Sequence, residues 1–203
     1  MRSTPVEFLT DDEAAEYGRY SGCPSQADLE QVFFLDDDDR ALVGRHRGEH
    51  MRAGFALQLV TVRWLGMFLE DPLDVPSEVL EFVAAQLEVA DPSQVKRYTE
   101  RAKTRFEHQW EIRQACGLRE FAEAGTEFAG WVAARSWTSG DGPKAIFLDG
   151  LAWLRERKIL LSGVISFGAS AGGSRRRSPR SPAAGPGWRT CRPRSPRAWP
   201  PTP

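Results

Sequence analysis

Apolar residues recur at helical spacing over the first 165 residues of the chain, and this periodicity constrains the fold more than any other feature of the sequence. The longest apolar stripe follows Glu49, and its positions are Met51, Phe55, Leu59, Val62 and Leu65. This stripe predicts a helix at the hydrophobic centre of the domain. No segment shows a sustained two-residue alternation bounded by hairpin turns, so the sequence predicts an all-α fold.

Capping residues predict where the other helices begin and end. The expected helix starts are Thr10 with Glu13, Ser25 with Asp28, Asp36 to Asp39, Ser77, and Asp91 with Pro92. Gly48 and Gly117 mark expected helix ends, and the last of these helices is expected to be long and to run to about Cys116. Two further helices are expected over TEFAGWVAARSW and PKAIFLDGLAWLRERK.

The composition of the chain changes abruptly near Val164. Residues 166–203 contain 8 Pro, 8 Arg, 6 Ser, 5 Gly and 5 Ala among 38 residues, and no Asp, Glu, Lys, Leu, Ile or Val. A segment without branched aliphatic residues cannot bury a core, so this Pro/Arg/Ser-rich tail is expected to be disordered. Residues 1–165 carry 19 basic and 28 acidic side chains, a net charge of −9, and are expected to fold, with a subdomain boundary near residues 71–77.

Cysteine usage and hydropathy exclude several classes of protein. The three cysteines lie far apart and form no C-x-x-C pair, which argues against a disulfide framework and a cysteine zinc cluster and favours a reducing cytoplasm. The N-terminus lacks the apolar core of a signal peptide, and the most apolar window is interrupted by Gln58 and Arg63. No phosphate-loop, dinucleotide or serine-hydrolase motif is present, so no cofactor and no membrane role are predicted.

The segment HRGEH, residues 46–50, has the H-x-x-E-H order of a zinc hydrolase. On one helix, His46 and His50 would share a face, and Glu49 would activate a bound water. Gly48 disfavours a continuous helix, the nearby arginines oppose a dication, and only unspecific glutamates further along the chain could supply a third ligand. A zinc hydrolase is therefore the weakest of the alternatives, and no metal is predicted.

Two segments concentrate positive charge in an otherwise acidic region. Between residues 40 and 63 five arginines face one acid, and between residues 96 and 113 six cations face three acids. Contact with a phosphate backbone requires such a concentration, although charged residues also decorate solvated helix faces. The candidate DNA-binding cations are Arg40, Arg45, Arg47, Arg52 and Arg63 in the first segment, and Lys96, Arg97, Arg101, Lys103, Arg105 and Arg113 in the second.

A family resemblance covers about residues 5–164 and is carried by four ordered sequence blocks. They are PVEFLTDDEAAEYGRYSG, RALVGRHRGEHMRAGFALQLVTVRWLGMFL, DPSQVKRYTERAKTRFEHQWEIRQACGLREF and AWLRERKILLSGV. In this order they resemble the N-terminal region of the large replicative transposases of the Tn-three family. The resemblance implies helical modules of helix-turn-helix type that recognise the terminal inverted repeats of a transposon, with catalysis in a later domain.

The resemblance also bears on individual residues. It implies a backbone-contacting turn that comprises Arg45, Arg47, His50 and Arg52, with Phe55, Leu59 and Val62 as its core anchor. The family typically has Arg where this chain has His46, so only His50 of the two histidines in the zinc-like order belongs to the family pattern. In the motif T-R-x-E-H-x-x-x-I-R, Arg105 and Arg113 are the DNA candidates, and Glu107 with His108 is interpreted as a structural hydrogen-bonded pair.

The sequence thus predicts a DNA-binding fragment of a transposase rather than an enzyme. Its expected partner is double-stranded DNA at transposon ends, with an intact transposase as a further one, in the bacterial cytoplasm or at the nucleoid. The family's catalytic domain has no counterpart after Val164, and the tail has the composition of GC-rich codons read out of frame, which favours a truncated, frameshifted gene. An inactive gene remnant stays open, as does a nonspecific nucleic-acid binder that uses the arginines and tryptophans of the tail.

Overall fold

The computed structural model describes residues 17–138, 140 and 142–161, and within them every regular element is a helix. In chain order these are α1 (Gln26–Val32), α2 (Asp37–Val43), α3 (Glu49–Leu65), α4 (Ser77–Gln86), a 3-10 helix (Pro92–Glu100), α5 (Ala102–Cys116), α6 (Phe121–Thr138) and α7 (Pro143–Glu156). The predicted all-α fold is confirmed. The helix expected after Thr10 and the tail of residues 166–203 lie outside the described residues.

Two of the predicted capping boxes form as expected. The Ser25 hydroxyl accepts a hydrogen bond from the Asp28 amide at 3.3 Å, and the Asp28 carboxylate accepts one from the Ser25 amide at 3.0 Å. Asp36 and Asp39 exchange the same pair of bonds at the start of α2. Each box satisfies two amides that would otherwise lack a partner in the first turn. Helix α2 was expected to run through RALVGRHR to an end at Gly48, but its last residue is Val43 and Gly44 is its C-cap.

Two other expected boundaries were wrong. Ser77 is the first helical residue of α4 rather than its cap, which is Pro76. The long helix expected after Asp91 is divided at Arg101, whose extended backbone (φ −116°, ψ 99°) separates the 3-10 helix from α5. The division has a packing reason. Val95 and Tyr98 are both buried, and residues three apart share a face in a 3-10 helix, which has three residues per turn.

Helix α3 forms the centre of the molecule, as its apolar stripe predicts. Phe55, Leu59 and Val62 are buried, which confirms them as core anchors, and so are most residues between them. The helix is covered by α1, α2, α4, α5 and the 3-10 helix, which surround it on all sides. A helix buried around its whole circumference is apolar nearly throughout, and the buried polar exceptions, such as Thr61, are hydrogen-bonded.

A second hydrophobic cluster joins α6 to α7 and contains Phe128, Trp131 and Trp153. It is fastened to the C-terminal end of α3, where the Leu161 amide donates to the Gly66 carbonyl at 2.9 Å. The Arg155 guanidinium also donates to the Leu65 carbonyl at 3.0 Å. The boundary expected near residues 71–77 stays a prediction. None of the described helices is both long and apolar enough to cross a membrane.

Replacing Arg63 by alanine is expected to lower the free energy of unfolding by about 1–3 kcal/mol, because the buried Asp39 carboxylate loses the guanidinium that pairs with it. Arg63 also donates to the Phe34 carbonyl at 3.5 Å. Urea unfolding of the two proteins measures the difference. Arg52→Ala is the control, because this arginine lies on the same helix and makes no ion pair among the described residues. Equal losses in both variants would contradict the assignment.

Candidate nucleic-acid interface

The first basic segment is built on a turn of residues 44–48, between α2 and α3. Arg45 and Arg47 are exposed, whereas the His46 side chain between them is only 13% exposed. Gly48 has a left-handed backbone (φ 86°), which allows the chain to turn sharply into α3 at no steric cost. Exposed arginines therefore alternate with a half-buried imidazole, which holds the turn to the protein while its neighbours face solvent.

This geometry does not support the zinc arrangement of the H-x-x-E-H segment. His46 precedes the break at Gly48, whereas Glu49 and His50 lie in the first turn of α3, so the two imidazoles are not on one continuous helix. In the part of the chain that the structure describes, no three His, Cys, Asp or Glu side chains are grouped to hold a metal ion. The helix break expected at Gly48 is confirmed.

The second basic segment is built on the 3-10 helix in the same way. Lys96 and Arg97 are exposed, and Tyr98 beside them is fully buried. The Tyr98 ring lies directly on the backbone of α3 at Gly54. Its hydroxyl accepts a hydrogen bond from the Gln58 side-chain amide and shares a second one with Nδ1 of His108, 2.8 Å away. A buried ring thus anchors this segment as well, and its neighbours are exposed cations.

The two anchors meet at His108 of α5. The ring centroids of His46 and His108 are 4.3 Å apart, and those of Tyr98 and His108 are 5.4 Å apart. Phe55 of α3 completes the cluster, with its centroid 4.2 Å from that of His46. Because each anchor is flanked by exposed cations, the shared contact with His108 brings two basic segments, about fifty residues apart in the sequence, onto neighbouring parts of the structure.

The structural pair expected between Glu107 and His108 was wrong. The Glu107 carboxylate accepts from Lys103 Nζ at 2.9 Å, four residues earlier on the same helix. His108 instead bonds to Tyr98. Adjacent helical residues point about 100° apart, so an exposed Glu107 and a buried His108 cannot face each other. The interpretation of His108 as a structural residue nevertheless agrees with its burial.

Burial sets the protonation state of the cluster. It lowers the pKa of His108 to about 4, an effect that a charge on the neighbouring His46 increases and Glu107 opposes. Burial also lowers the pKa of His46, where Glu111 on α5 opposes the shift and Arg45 adds to it. Nε2 of His46 lies 3.5 Å from the Glu111 carboxylate. Both imidazoles are therefore neutral at pH 7, and the local positive charge comes from the arginines and lysines.

The twelve predicted DNA-binding positions fall into two groups. In the first group, the side chains form no hydrogen bond or ion pair with a distant part of the described chain, apart from the contact of Arg45 with Glu111. This group has eight members: Arg45, Arg47, His50, Arg52, Lys96, Arg97, Arg101 and Lys103. The other four bind groups elsewhere in the fold, and they are Arg40, Arg63, Arg105 and Arg113. The first group is exposed or half-buried.

The four arginines that bind groups elsewhere in the fold connect separate helices. Arg40 donates to the Gln86 carbonyl at the end of α4, at 2.7 Å, and to the Leu35 carbonyl at 3.1 Å. Arg105 donates to the Glu70 carbonyl, and Arg113 pairs with Glu120, which immediately precedes α6. Guanidinium groups held in this way stabilise the fold, and their availability to DNA stays a prediction.

Sequence reasoning missed the residues that join the two basic segments. Tyr98, Gln58 and Gly54 were not among the candidates, although a glycine inside an apolar helix signals close backbone approach. It also missed two exposed aromatic side chains on α5, Phe106 and Trp110, which are 55% and 62% exposed. Helical spacing alone did not indicate them, because an isolated aromatic residue in a charged helix is more often buried.

Residues 8–167 match the family described as "Domain of unknown function (DUF4158)". The chain is 40% identical over 165 residues to the transposase for transposon gamma-delta of Escherichia coli (strain K12), an alignment that covers 80% of this chain and 16% of that protein. It is 32% identical over 151 residues to the transposase for transposon Tn501 of Pseudomonas aeruginosa, covering 73% of this chain and 15% of that protein. The chain spans about a sixth of the length of these curated relatives.

Proposed function

This chain belongs to the DUF4158 family and is related to transposases, and on that premise we propose that it binds double-stranded DNA at transposon ends through its two basic segments. The observation that carries the proposal is that the rings of His46 and Tyr98, one from each segment, both contact His108. It fixes exposed cations from two distant parts of the sequence on one framework. Cations in a fixed arrangement can match the spacing of phosphates along a duplex.

The charge distribution supports the proposal. The first 165 residues have a net charge of −9, so a surface that attracts DNA has to concentrate its cations locally. Arg45 and Arg47 are exposed on either side of one anchor, and Lys96 and Arg97 precede the other. Phosphate contacts from such residues give affinity and orientation, whereas sequence preference requires contacts with base edges or with DNA shape.

The proposal assigns a binding role to this chain and no catalytic step. Recognition of inverted repeats, association with an intact transposase and a place at the bacterial nucleoid all belong to the proposal, supported by the relation to the two transposases. The rival account, nonspecific binding by the tail, differs in the residues that carry the charge. In that account the eight arginines of residues 166–203 would do so.

A salt titration of DNA binding tests the proposal. Fluorescence anisotropy of a labelled duplex is followed with the full chain, and with a full-length variant in which the eight tail arginines are replaced by glutamine. We expect both proteins to bind, with log K falling linearly against log salt by about 0.9 for each phosphate neutralised. If the tail variant loses all binding, DNA binding is assigned to the tail instead. If neither protein binds DNA at low salt, the proposal is contradicted.

A further inference from the structure

We infer that His46 is a positioning residue: its imidazole, packed between His108 and Phe55, fixes the turn of residues 44–48 on α5 and so sets where Arg45 and Arg47 stand relative to the second basic segment. The inference rests on the proposed function for its consequence in DNA binding. Its structural part, the attachment of the turn, is independent of DNA.

The backbone alone does not attach this turn to α5. The backbone hydrogen bonds of Arg45 and His46 are local, from the Arg45 amide to the Leu42 carbonyl at 3.3 Å and from the His46 amide to the Val43 carbonyl at 3.1 Å. They hold the turn to the end of its own helix, α2. Contact with α5 comes from side chains, namely the packed His46 ring and an outer contact of 3.9 Å between Arg45 and Glu111.

The His46 contact is the stronger of the two. Its ring centroid lies 4.3 Å from that of His108 and 4.2 Å from that of Phe55, distances at which aromatic rings pack in contact. The Arg45 side chain is 61% exposed, and an exposed ion pair at that distance contributes little. Removing the His46 ring therefore removes the main attachment and leaves the arginines on a loosened turn.

The attachment is sensitive to acid. His46 faces His108 and Glu111 on α5, Phe55 on α3, and Arg45 in its own turn. Charging both rings would place two cations against each other, an effect that Glu111 opposes at His46 and Glu107 opposes at His108. His108 in turn meets the Tyr98 hydroxyl and lies beside Glu107, which is paired with Lys103.

The direction of the pH effect follows from the lowered pKa values of both histidines. A released or unfolded imidazole has a pKa near 6.5, whereas that of packed His108 is about 4, so protons bind the released state more readily between these values. The packed arrangement is fully favoured above about pH 6.5 and loses stability as the pH falls toward 4. Acidification should therefore loosen the turn.

Amide hydrogen exchange of the full chain without DNA tests the attachment directly. With rates corrected for intrinsic exchange, His46→Ala should lower protection at residues 44–48 by about tenfold and leave the middle of α3 unchanged. His46→Phe keeps a ring in place and should restore protection, with a weaker dependence on pH than the wild type. Trp137→Ala, which removes a ring that is 91% exposed on α6, is the control and should behave as the wild type. Unchanged protection of the turn in His46→Ala would overturn the inference.

The consequence for DNA is measured separately. We expect His46→Ala to reduce the ratio of affinities for a duplex selected by the wild type and an unrelated duplex by at least about fivefold, with the salt dependence retained, and His46→Phe to restore the ratio. If the turn loosens but no variant binds DNA, the proposed function fails and the attachment stands. If the wild type discriminates between the duplexes and His46→Ala discriminates equally, the positioning role fails and the proposed function stands.

Discussion

Gly54→Ala is expected to lower the free energy of unfolding by about 1–3 kcal/mol, although alanine is the better helix former in isolation. A methyl group at this position would overlap the ring of Tyr98. That ring is fully buried, and its hydroxyl is held by Gln58 and His108, so it cannot move aside without breaking those hydrogen bonds. Urea or thermal unfolding of the full chain measures the loss.

Gly130→Ala provides the matched control on another helix. This glycine lies in α6, is exposed, and would place a methyl group in open space. The same substitution there should raise the free energy of unfolding by up to about 1 kcal/mol. If Gly54→Ala were as harmless as Gly130→Ala, Tyr98 would not be seated on α3, and the shared framework of the two basic segments would be wrong.

Removing three exposed cations from the two basic segments is expected to weaken DNA binding about a hundredfold at physiological salt. The variant carries Arg45→Ala, Arg47→Ala and Arg97→Ala. Each phosphate contact contributes on the order of 1 kcal/mol at that salt through release of counterions, and the salt slope should become shallower by about 2.7. Stability should change little, because all three side chains are exposed and their contacts with acids, at 3.8 to 3.9 Å, are loose.

A control with the same change of net charge separates local contacts from long-range attraction. It carries Arg119→Ala, Lys144→Ala and Arg157→Ala, three exposed positions on or beside α6 and α7. The control should lose affinity by less than about fivefold, because the three side chains lie outside the two basic segments and salt screens exposed charges that do not contact the DNA. Equal losses in the two variants would mean that DNA responds to overall charge and that the two segments are not the interface.

The sequence predicted most helices because their signals are local. The capping boxes at Ser25 and Asp36, and the apolar stripe of α3, involve residues three or four apart. The division at Arg101 was missed because Val95 and Tyr98 fit a helix of either period, and only the position of Tyr98 on α3 selects the 3-10 form. Local pattern therefore located the elements, and long-range packing decided their type.

The candidate interface was predictable to a smaller extent. Charge density along the chain indicated both basic segments, but it could not separate exposed cations from those that bind distant carbonyl groups. Arg40 reaches Gln86 and Arg105 reaches Glu70, each more than thirty residues away in the sequence. The contact of His46 with His108 is equally nonlocal. The H-x-x-E-H spacing raised a metal site at His46 only as the weakest alternative, because Gly48 disfavours a continuous helix, and it did not indicate that this ring packs on His108.

Selection of binding sites from a pool of random duplexes by the full chain tests the central claim most directly. The claim is that this chain recognises particular DNA ends and does not merely attract phosphate. We predict that repeated selection at physiological salt enriches one sequence motif, and that the triple variant of the basic segments fails to enrich it. A pool that stays random although the protein retains DNA would contradict the claim and leave a nonspecific binder of nucleic acid.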